Sequence, residues 1–218
     1  MPRIIDILLS ILALLVLLPL FIPIVVILLL TGEHKVFYLQ TRVGYNNKDF
    51  KIIKFATMLS NSANMGSGSL TLKNDPRVLP FGSFLRKTKI NELPQILNII
   101  IGDLSIVGPR PQMQVDFEKY SDEVQGKIYN VRPGLTGIGS IVFRDEESLI
   151  SSAAENEDPH DFYKRIIAPY KGELEIWYHS HRSIFLDSQL IFMTAWAIVS
   201  PETRLYEKWF KDLPIRNF

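Results

Sequence analysis

Residues 7–30 form one apolar run of Leu, Ile, Val, Phe and Ala, interrupted by Ser10, Pro19 and Pro23 and free of charge. A run of this length exceeds the roughly 20 residues that cross a bilayer as helix. It passes straight into Thr31-Gly32-Glu33 with no small-residue cleavage pattern, so it is expected to stay attached rather than be removed as a signal peptide. Pro19 and Pro23 each remove a backbone donor mid-run, which predicts a sharp bend or break. Arg3 precedes the run and Lys35, Arg42 and Lys48 follow it, so basic charge flanks both ends and selects no single crossing direction. A segment that enters, turns at proline and leaves on the same face fits this pattern; a kinked spanning anchor is the alternative.

Beyond Gly32 the pattern breaks into short elements. Residues 36–40 and 50–55 are β-branched and aromatic, and the turn-rich stretch 43–48 between them predicts a hairpin. Residues 61–69, rich in Asn, Ser and Gly, read as a mobile loop, either a lid or a plain connector, and 73–77 as a turn. From Leu79 the period becomes helical. A short helix is expected over 82–87 and a second from Asn91, with Asn91 as its N-cap, Glu92 and Pro94 in the first turn, and Leu93, Ile96, Leu97 and Ile100 as its buried stripe. Gly102 should end it. The Gly108-Pro109-Arg110-Pro111 turn is stiff, 114–131 reads as a polar helix, 132–137 as a second basic turn and 147–168 as partly helical. Residues 163–181 read as helix, and 185–199 as an apolar helix lying on the core or on a membrane surface. The class is α+β: a re-entrant, proline-broken membrane helix over 1–32, a small mixed α/β domain over 33–200 and a tail over 201–218. In the tail, Trp209 and Phe210 beside Lys208 and Lys211 suit an interfacial anchor or a partner contact.

Composition narrows the chemistry. A chain of 218 residues supports one core-bearing domain, and a net charge of +1 argues against a nucleic-acid partner. With no cysteine there is no disulfide, thiolate nucleophile, Fe–S cluster or cysteine zinc site. His34, His160, His179 and His181 show no ligand spacing, so any metal would be held by oxygen. No P-loop or dinucleotide fingerprint is present.

Five strings carry a resemblance: Phe50-Lys51-Ile52-Ile53-Lys54-Phe55, Asn74-Asp75-Pro76-Arg77-Val78, Lys87-Thr88-Lys89-Ile90-Asn91-Glu92-Leu93-Pro94-Gln95, Gly102-Asp103-Leu104-Ser105-Ile106-Val107-Gly108-Pro109-Arg110-Pro111 and Val131-Arg132-Pro133-Gly134-Leu135-Thr136-Gly137. In this order and spacing, from about Arg3 to about Ser200, the chain resembles the bacterial sugar transferases that are monotopic polyprenyl-phosphate phosphoglycosyl transferases. The resemblance implies transfer of a sugar 1-phosphate from a UDP-sugar to undecaprenyl phosphate, with UMP released and Mg²⁺ required. It places a membrane helix broken at Pro19 in the bacterial inner membrane, and the catalytic domain on its cytoplasmic face. The reaction would start a capsule, O-antigen, exopolysaccharide or glycoprotein glycan; besides the lipid bilayer, a second copy or downstream glycosyltransferases would be partners.

Phosphoryl transfer between two anions requires charge neutralisation and positioning. Arg110, held between two prolines, suits a bidentate phosphate grip, and Arg132, Arg144 and Arg86 are further phosphate-binding candidates. The resemblance gives Lys54 an essential role, while Ala56 stands where relatives are commonly basic. It also puts an Asp nucleophile in much of the family where this chain has Asn91, and an amide is not a competent phosphoryl nucleophile. Asn91 is then a trapping substitution, a natural variant in which another carboxylate such as Glu92 acts, or the mark of an inactive homologue. Glu92 is the leading nucleophile or metal ligand; Asp103 and Asp187 are the other candidate metal ligands, although capping is the commoner role of an Asp in a turn. The cluster Arg144-Asp145-Glu146-Glu147 reads as a solvated acidic turn, with sugar selection as the alternative. A catalytically silent scaffold of the same fold that binds nucleotide-sugar or partner enzymes is the second functional class. A glycosidic-bond-forming transferase lacks its usual acidic metal pair.

Overall fold

Helix α1 (Arg3–Leu30) leads the chain in the computed structural model, which describes residues 1–66, 70–200 and 203–218. Its middle is apolar and bare, with Leu8, Leu12, Leu15, Val16 and Ile22 all more than half exposed. The expected break at Pro19 is not seen: helix continues through Pro19 and Pro23. Each proline forfeits one backbone bond, whereas opening the helix in an apolar setting would leave several groups unpaired.

Both ends of α1 dock on the following domain. Arg3 donates to the carbonyls of Ile99, Ile100 and Leu104, and the buried Asp6 accepts from the Ser105 hydroxyl (2.9 Å) and the Ile106 amide (3.0 Å). At the other end Ile24 and Leu28 pack with Phe55 and Leu85.

Strands β1 (Phe37–Val43) and β2 (Asp49–Phe55) form the predicted hairpin, with Tyr38 opposite Lys54 and Arg42 opposite Phe50. Asn46 and Asn47 take the left-handed backbone (φ 54° and 57°) that the tight connection requires. Helix α2 (Pro80–Lys87) opens on proline and leads to a 3₁₀ turn, Ile90–Glu92. Helix α3 (Gln95–Ile101) starts after Pro94, not at Asn91, and ends at Gly102 (φ 117°). Asn91 therefore caps nothing: it is buried inside the 3₁₀ turn. Pro94 contributes to the shift, because it has no backbone N–H to bond back to Ile90 and it suits the start of a helix.

Two three-residue strands, β3 (Ser105–Val107) and β4 (Gly134–Thr136), pair in parallel. They were not expected, since three residues are too few to show a period of two. Glycine makes the pairing possible: a Cβ on Gly134 would lie 2.1 Å from the Gly108 nitrogen, and one on Gly137 2.2 Å from the Gly108 oxygen. The single helix expected over 114–131 is two pieces, α4 (Gln114–Phe117) and α5 (Asp122–Lys127), divided where Ser121 caps α5.

The remaining helices are α6 (Ile138–Val142), α7 (Glu146–Ala153), α8 (Pro159–Phe162), α9 (Ala168–His181), α10 (Ile184–Val199) and α11 (Leu205–Trp209), with a π turn over Tyr163–Ile167. The main core gathers Ile128, Tyr129, Ile138, Tyr163, Ile167, Leu174, Tyr178 and Leu190. Helix α10 lies on the core through buried Leu186, Leu190 and Met193, while Phe185, Phe192, Trp196 and Val199 are exposed. Of the tail predicted over 201–218, Pro201 and Glu202 lie outside the described residues. The rest folds back, with Trp209 stacked on Phe192, the Trp177 indole donating to Asp212, and Arg216 paired with Asp145.

The loop expected over 61–69 is pinned where it is described. Buried Arg77 pairs with Asp75 (2.5 Å) and donates to the carbonyls of Ser62, Met65 and Leu70. Its residues 67–69 lie outside the described ones.

Candidate active site

Three segments far apart in sequence meet at one carboxylate. Strand β2 carries Lys54, the 3₁₀ turn before α3 carries Glu92, and the rigid turn after β3 carries Arg110. Glu92 Oε1 accepts from Lys54 Nζ at 3.1 Å and from Arg110 Nη2 at 2.9 Å. Lys54 and Glu92 are 14% and 17% exposed and Arg110 is 33% exposed, so the cluster lies in a cleft open at the guanidinium.

The Arg110 turn is held from several sides. The buried Tyr129 hydroxyl donates to the Arg110 carbonyl and accepts from the Gln112 amide, both at 2.8 Å, and the Gly134 amide donates to the Pro109 carbonyl. Arg42 donates to the Pro111 carbonyl (3.3 Å) and to Gln40 Oε1 (2.6 Å).

Several charges influence one another around Glu92. Burial, the largest influence, pulls the Lys54 ammonium down to about 8; Arg42 and Arg110 push the same way, and Glu92 opposes them. For Glu92 burial favours the neutral form but is overcome by Arg110 and Lys54, which hold the carboxyl well below its usual range. Glu92 raises Arg110, and burial with the Arg110 charge lowers Arg42. Lys89, whose backbone is left-handed (φ 59°), also interacts electrostatically with Glu92 and Arg110. Glu92 thus interacts with four cations, Arg42, Lys54, Lys89 and Arg110, while Glu146 also acts on Arg110, Glu147 on Lys89 and the buried Glu175 on Arg110. Asp116, the other acid near Arg42, already pairs with Lys119 (3.0 Å).

The match to known proteins agrees with this arrangement of motifs. Residues 1–201 match the family described as bacterial sugar transferase. The chain belongs to that family. Among relatives, it is 39% identical over 163 residues to the exopolysaccharide production protein ExoY of Sinorhizobium fredii, covering 68% of this chain and 72% of that one. It is 32% identical over 209 residues to the exopolysaccharide production protein PSS of Rhizobium leguminosarum bv. phaseoli, covering 94% and 96%. It is also 32% identical over 197 residues to the UDP-N-acetylgalactosamine-undecaprenyl-phosphate N-acetylgalactosaminephosphotransferase of Aeromonas hydrophila, covering 89% of this chain but 43% of that longer protein. This sugar transferase is accordingly an enzyme of the sugar-phosphate-transferring kind.

The other sequence candidates are dispersed. Arg132 donates to the Gly102 carbonyl (3.0 Å) and lies 5.4 Å from the Tyr45 ring; Arg144 is exposed; Arg86 reaches Met58 Sδ at 3.7 Å. Asp103 accepts from Asn98, behind α3. Asp187 is buried, paired with the Met1 amine (2.7 Å) and accepting from the Tyr178 hydroxyl (2.8 Å). Neither shares a partner with Glu92, and among the described residues no three acidic or histidine side chains converge as a metal group.

What the cleft offers an ion is Glu92 Oε2, which carries no hydrogen bond among the described residues, and the Asn91 Oδ1, buried without a partner. Mg²⁺ usually takes one or two carboxylates and fills its remaining positions with substrate phosphates and water. Glu92 fits that demand; Asp103 and Asp187, as placed, do not join it. Arg42 and Tyr129 are residues that the sequence reading missed. The available signal for Arg42 was strand alternation, which puts it on the same face of β1 as Gln40, its partner. Tyr129 offered no signal beyond being aromatic in a polar stretch.

Proposed function

We propose that this transferase moves a sugar 1-phosphate from a UDP-sugar onto undecaprenyl phosphate, releasing UMP, as the first membrane step of a surface glycan. The observation carrying this reading is the convergence of Lys54 and Arg110 on Glu92, in a domain that holds both ends of an apolar 28-residue helix. The two cations are the groups a diphosphate needs, and the helix brings the cleft to headgroup level, where a lipid phosphate lies. A cavity of about 250 Å³ lined by Leu28, Gly32, Ala56, Met58, Leu79 and Phe81 opens two residues beyond Lys54. It suits the isoprenoid chain where it leaves the bilayer. Glu92 would hold Mg²⁺ with the substrate phosphates; the ion supplies charge neutralisation of the diphosphate. Lys54 and Arg110 bind and orient the phosphoryl oxygens, and Tyr129 keeps the Arg110 turn aimed at them. The silent-scaffold reading draws no support, since the cation–carboxylate cluster is intact.

The test is UMP release by purified protein in nanodiscs with Mg²⁺, undecaprenyl phosphate, and either UDP-glucose or UDP-N-acetylgalactosamine. Release is expected with at least one donor and falls at least 100-fold in Arg110→Ala and Lys54→Ala. No release with either donor counts against the reading.

The same proposal includes α1 entering and leaving the inner membrane on the cytoplasmic side. Its support is that Asp6 at one end and Leu28 at the other are both bound to one domain. Because the chain has no cysteine, single cysteines at Pro2 and Glu33 report their side cleanly to a membrane-impermeant maleimide. Equal protection of both in intact cells, and equal labelling after lysis, is expected; labelling of one alone in intact cells would establish a spanning helix.

A further inference from the structure

The match to the family ends at residue 201, and residues 203–218 fold back onto the domain beside the cleft. We propose that this segment is a strap whose Arg216 and Phe218 fix the loop 143–147, so that Arg144 is presented with its charge free to the donor diphosphate. The proposal rests on the substrate reading above and makes Arg216 a positioning residue for the same reaction.

The loop adjoins the cleft. Glu146 acts electrostatically on Arg110 and Glu147 on Lys89, which places the start of α7 beside the cations around Glu92. Arg144 is exposed at that edge and forms no ion pair among the described residues. Three acids follow it in sequence, and an unpaired carboxylate beside a guanidinium cancels much of the field that a phosphate would feel. Two of the three are engaged elsewhere: Asp145 with Arg216 (3.1 Å) and Glu146 with the buried Lys171 (2.6 Å). Arg216 therefore keeps the nearest carboxylate off Arg144.

The other neighbour of Arg144 is held as firmly. Phe143, 4% exposed, stacks on Phe218 with 6.2 Å between centroids, and the Arg216 guanidinium lies 5.4 Å from its ring. Tyr170 of α9 meets both rings edge-on, and its hydroxyl donates to the Pro214 carbonyl (2.8 Å). Elsewhere the strap stands off from α7, across a cavity of about 400 Å³ lined by Asp145, Leu149, Tyr206, Phe210 and Arg216. Few contacts thus carry the hold on the loop, and one substitution should release it. With Asp145 42% exposed, its pair with Arg216 adds little to global stability. Its effect falls on where Arg144 stands and on how much of its charge is available.

The experiment measures UMP release in nanodiscs with Mg²⁺ and undecaprenyl phosphate while UDP-glucose or UDP-N-acetylgalactosamine is varied. Arg216→Met should raise the donor KM about tenfold and leave kcat within about twofold, as expected when ground-state binding is lost. Its thermal midpoint should stay nearly unchanged. Arg216→Lys, which keeps the cation, should recover most of the loss, and Phe218→Ala should raise the same KM about threefold. In an Arg144→Ala background, Arg216→Met should change the donor KM by less than about twofold, because the two residues act in series. Titration of UDP alone, without lipid acceptor, gives the same comparison as a Kd. The inference is therefore decided even where no UMP is released, a result that overturns only the substrate reading. An unchanged donor KM and UDP Kd in Arg216→Met would overturn the inference. So would an equal loss in the Arg144→Ala background, or a kcat that falls with a lowered thermal midpoint, since either marks a merely structural role.

Discussion

Raising the pH removes one charge from the cleft before it harms the fold. Lys54 is brought from 10.5 to about 8 by burial against the pull of Glu92, a displacement worth about 3 kcal/mol at about 1.4 kcal/mol per unit. Its ammonium is a proposed phosphate ligand, so kcat/KM for the UDP-sugar should fall along an alkaline limb centred near 8. Above that point the loss approaches tenfold per pH unit, giving about 30-fold between pH 7 and 9.5. Stability moves the other way. Between pH 8 and 10.5 the folded chain holds fewer protons at Lys54 than the unfolded chain, so the folded state gains from this residue as pH rises. The buried tyrosines Tyr120 and Tyr163, held above their usual range by burial, cost stability only beyond about pH 10. The assay is UMP release at saturating lipid acceptor from pH 6.5 to 9.5, beside the thermal midpoint in the same buffers. Lys54→Arg, whose charge does not titrate here, is the control and should flatten the limb whatever its absolute rate. A flat profile for the unaltered protein, or the same limb in Lys54→Arg, would each refute the reasoning.

Three other substitutions probe the frame of the site. Arg77→Met leaves Asp75 buried and unpaired and frees the carbonyls of Ser62, Met65 and Leu70; it should cost about 3–5 kcal/mol and open the adjoining loop to limited proteolysis. Tyr129→Phe removes the hydroxyl that binds both the Arg110 carbonyl and the Gln112 amide; the loss of about 1–2 kcal/mol should appear chiefly as a KM for UDP-sugar raised about tenfold. Glu175, buried on α9, is pushed up to about 8 by burial, so it is largely neutral at pH 7 and its folded-state advantage is lost as pH rises through 8. Glu175→Gln should therefore raise the thermal midpoint most at pH 9, less at pH 6 and least near pH 4.5, where folded and unfolded states both tend to hold the proton; equal effects at all three pH values would count against this account.

What the sequence made legible follows from the length of each signal. The apolar run of α1, the hairpin and the end of α3 at Gly102 were each carried by several residues or by a conformation that glycine alone takes easily. β3 and β4 were not, being three residues each and joined through glycines whose role shows only when the two backbones are side by side. Asn91 looked like a cap because helix propensity begins there, but Pro94 has no N–H to continue the ladder from Ile90, and the α-helix starts at Gln95. In the site, residue types were readable but distances were not. Lys54, Glu92 and Arg110 meet, whereas Asp187 reads as a polar residue in a helical first turn whether it binds metal or, as here, the Met1 amine. Arg42 read as charge flanking a membrane segment, and only strand pairing turns it toward the cleft.

The bonds of Asp6 bear on how the chain is made. Its partners, the Ser105 hydroxyl and the Ile106 amide, lie about a hundred positions later. At roughly 5–20 residues per second, a ribosome takes about 5–20 s to supply them. Throughout that interval Asp6 and Arg3 have none of these partners, and in the topology proposed above the start of the helix stays in contact with water at the lipid surface. On that proposal, membrane integration ends only when β3 emerges and locks the helix in place, and a nascent chain halted before residue 105 should be held by lipid affinity alone.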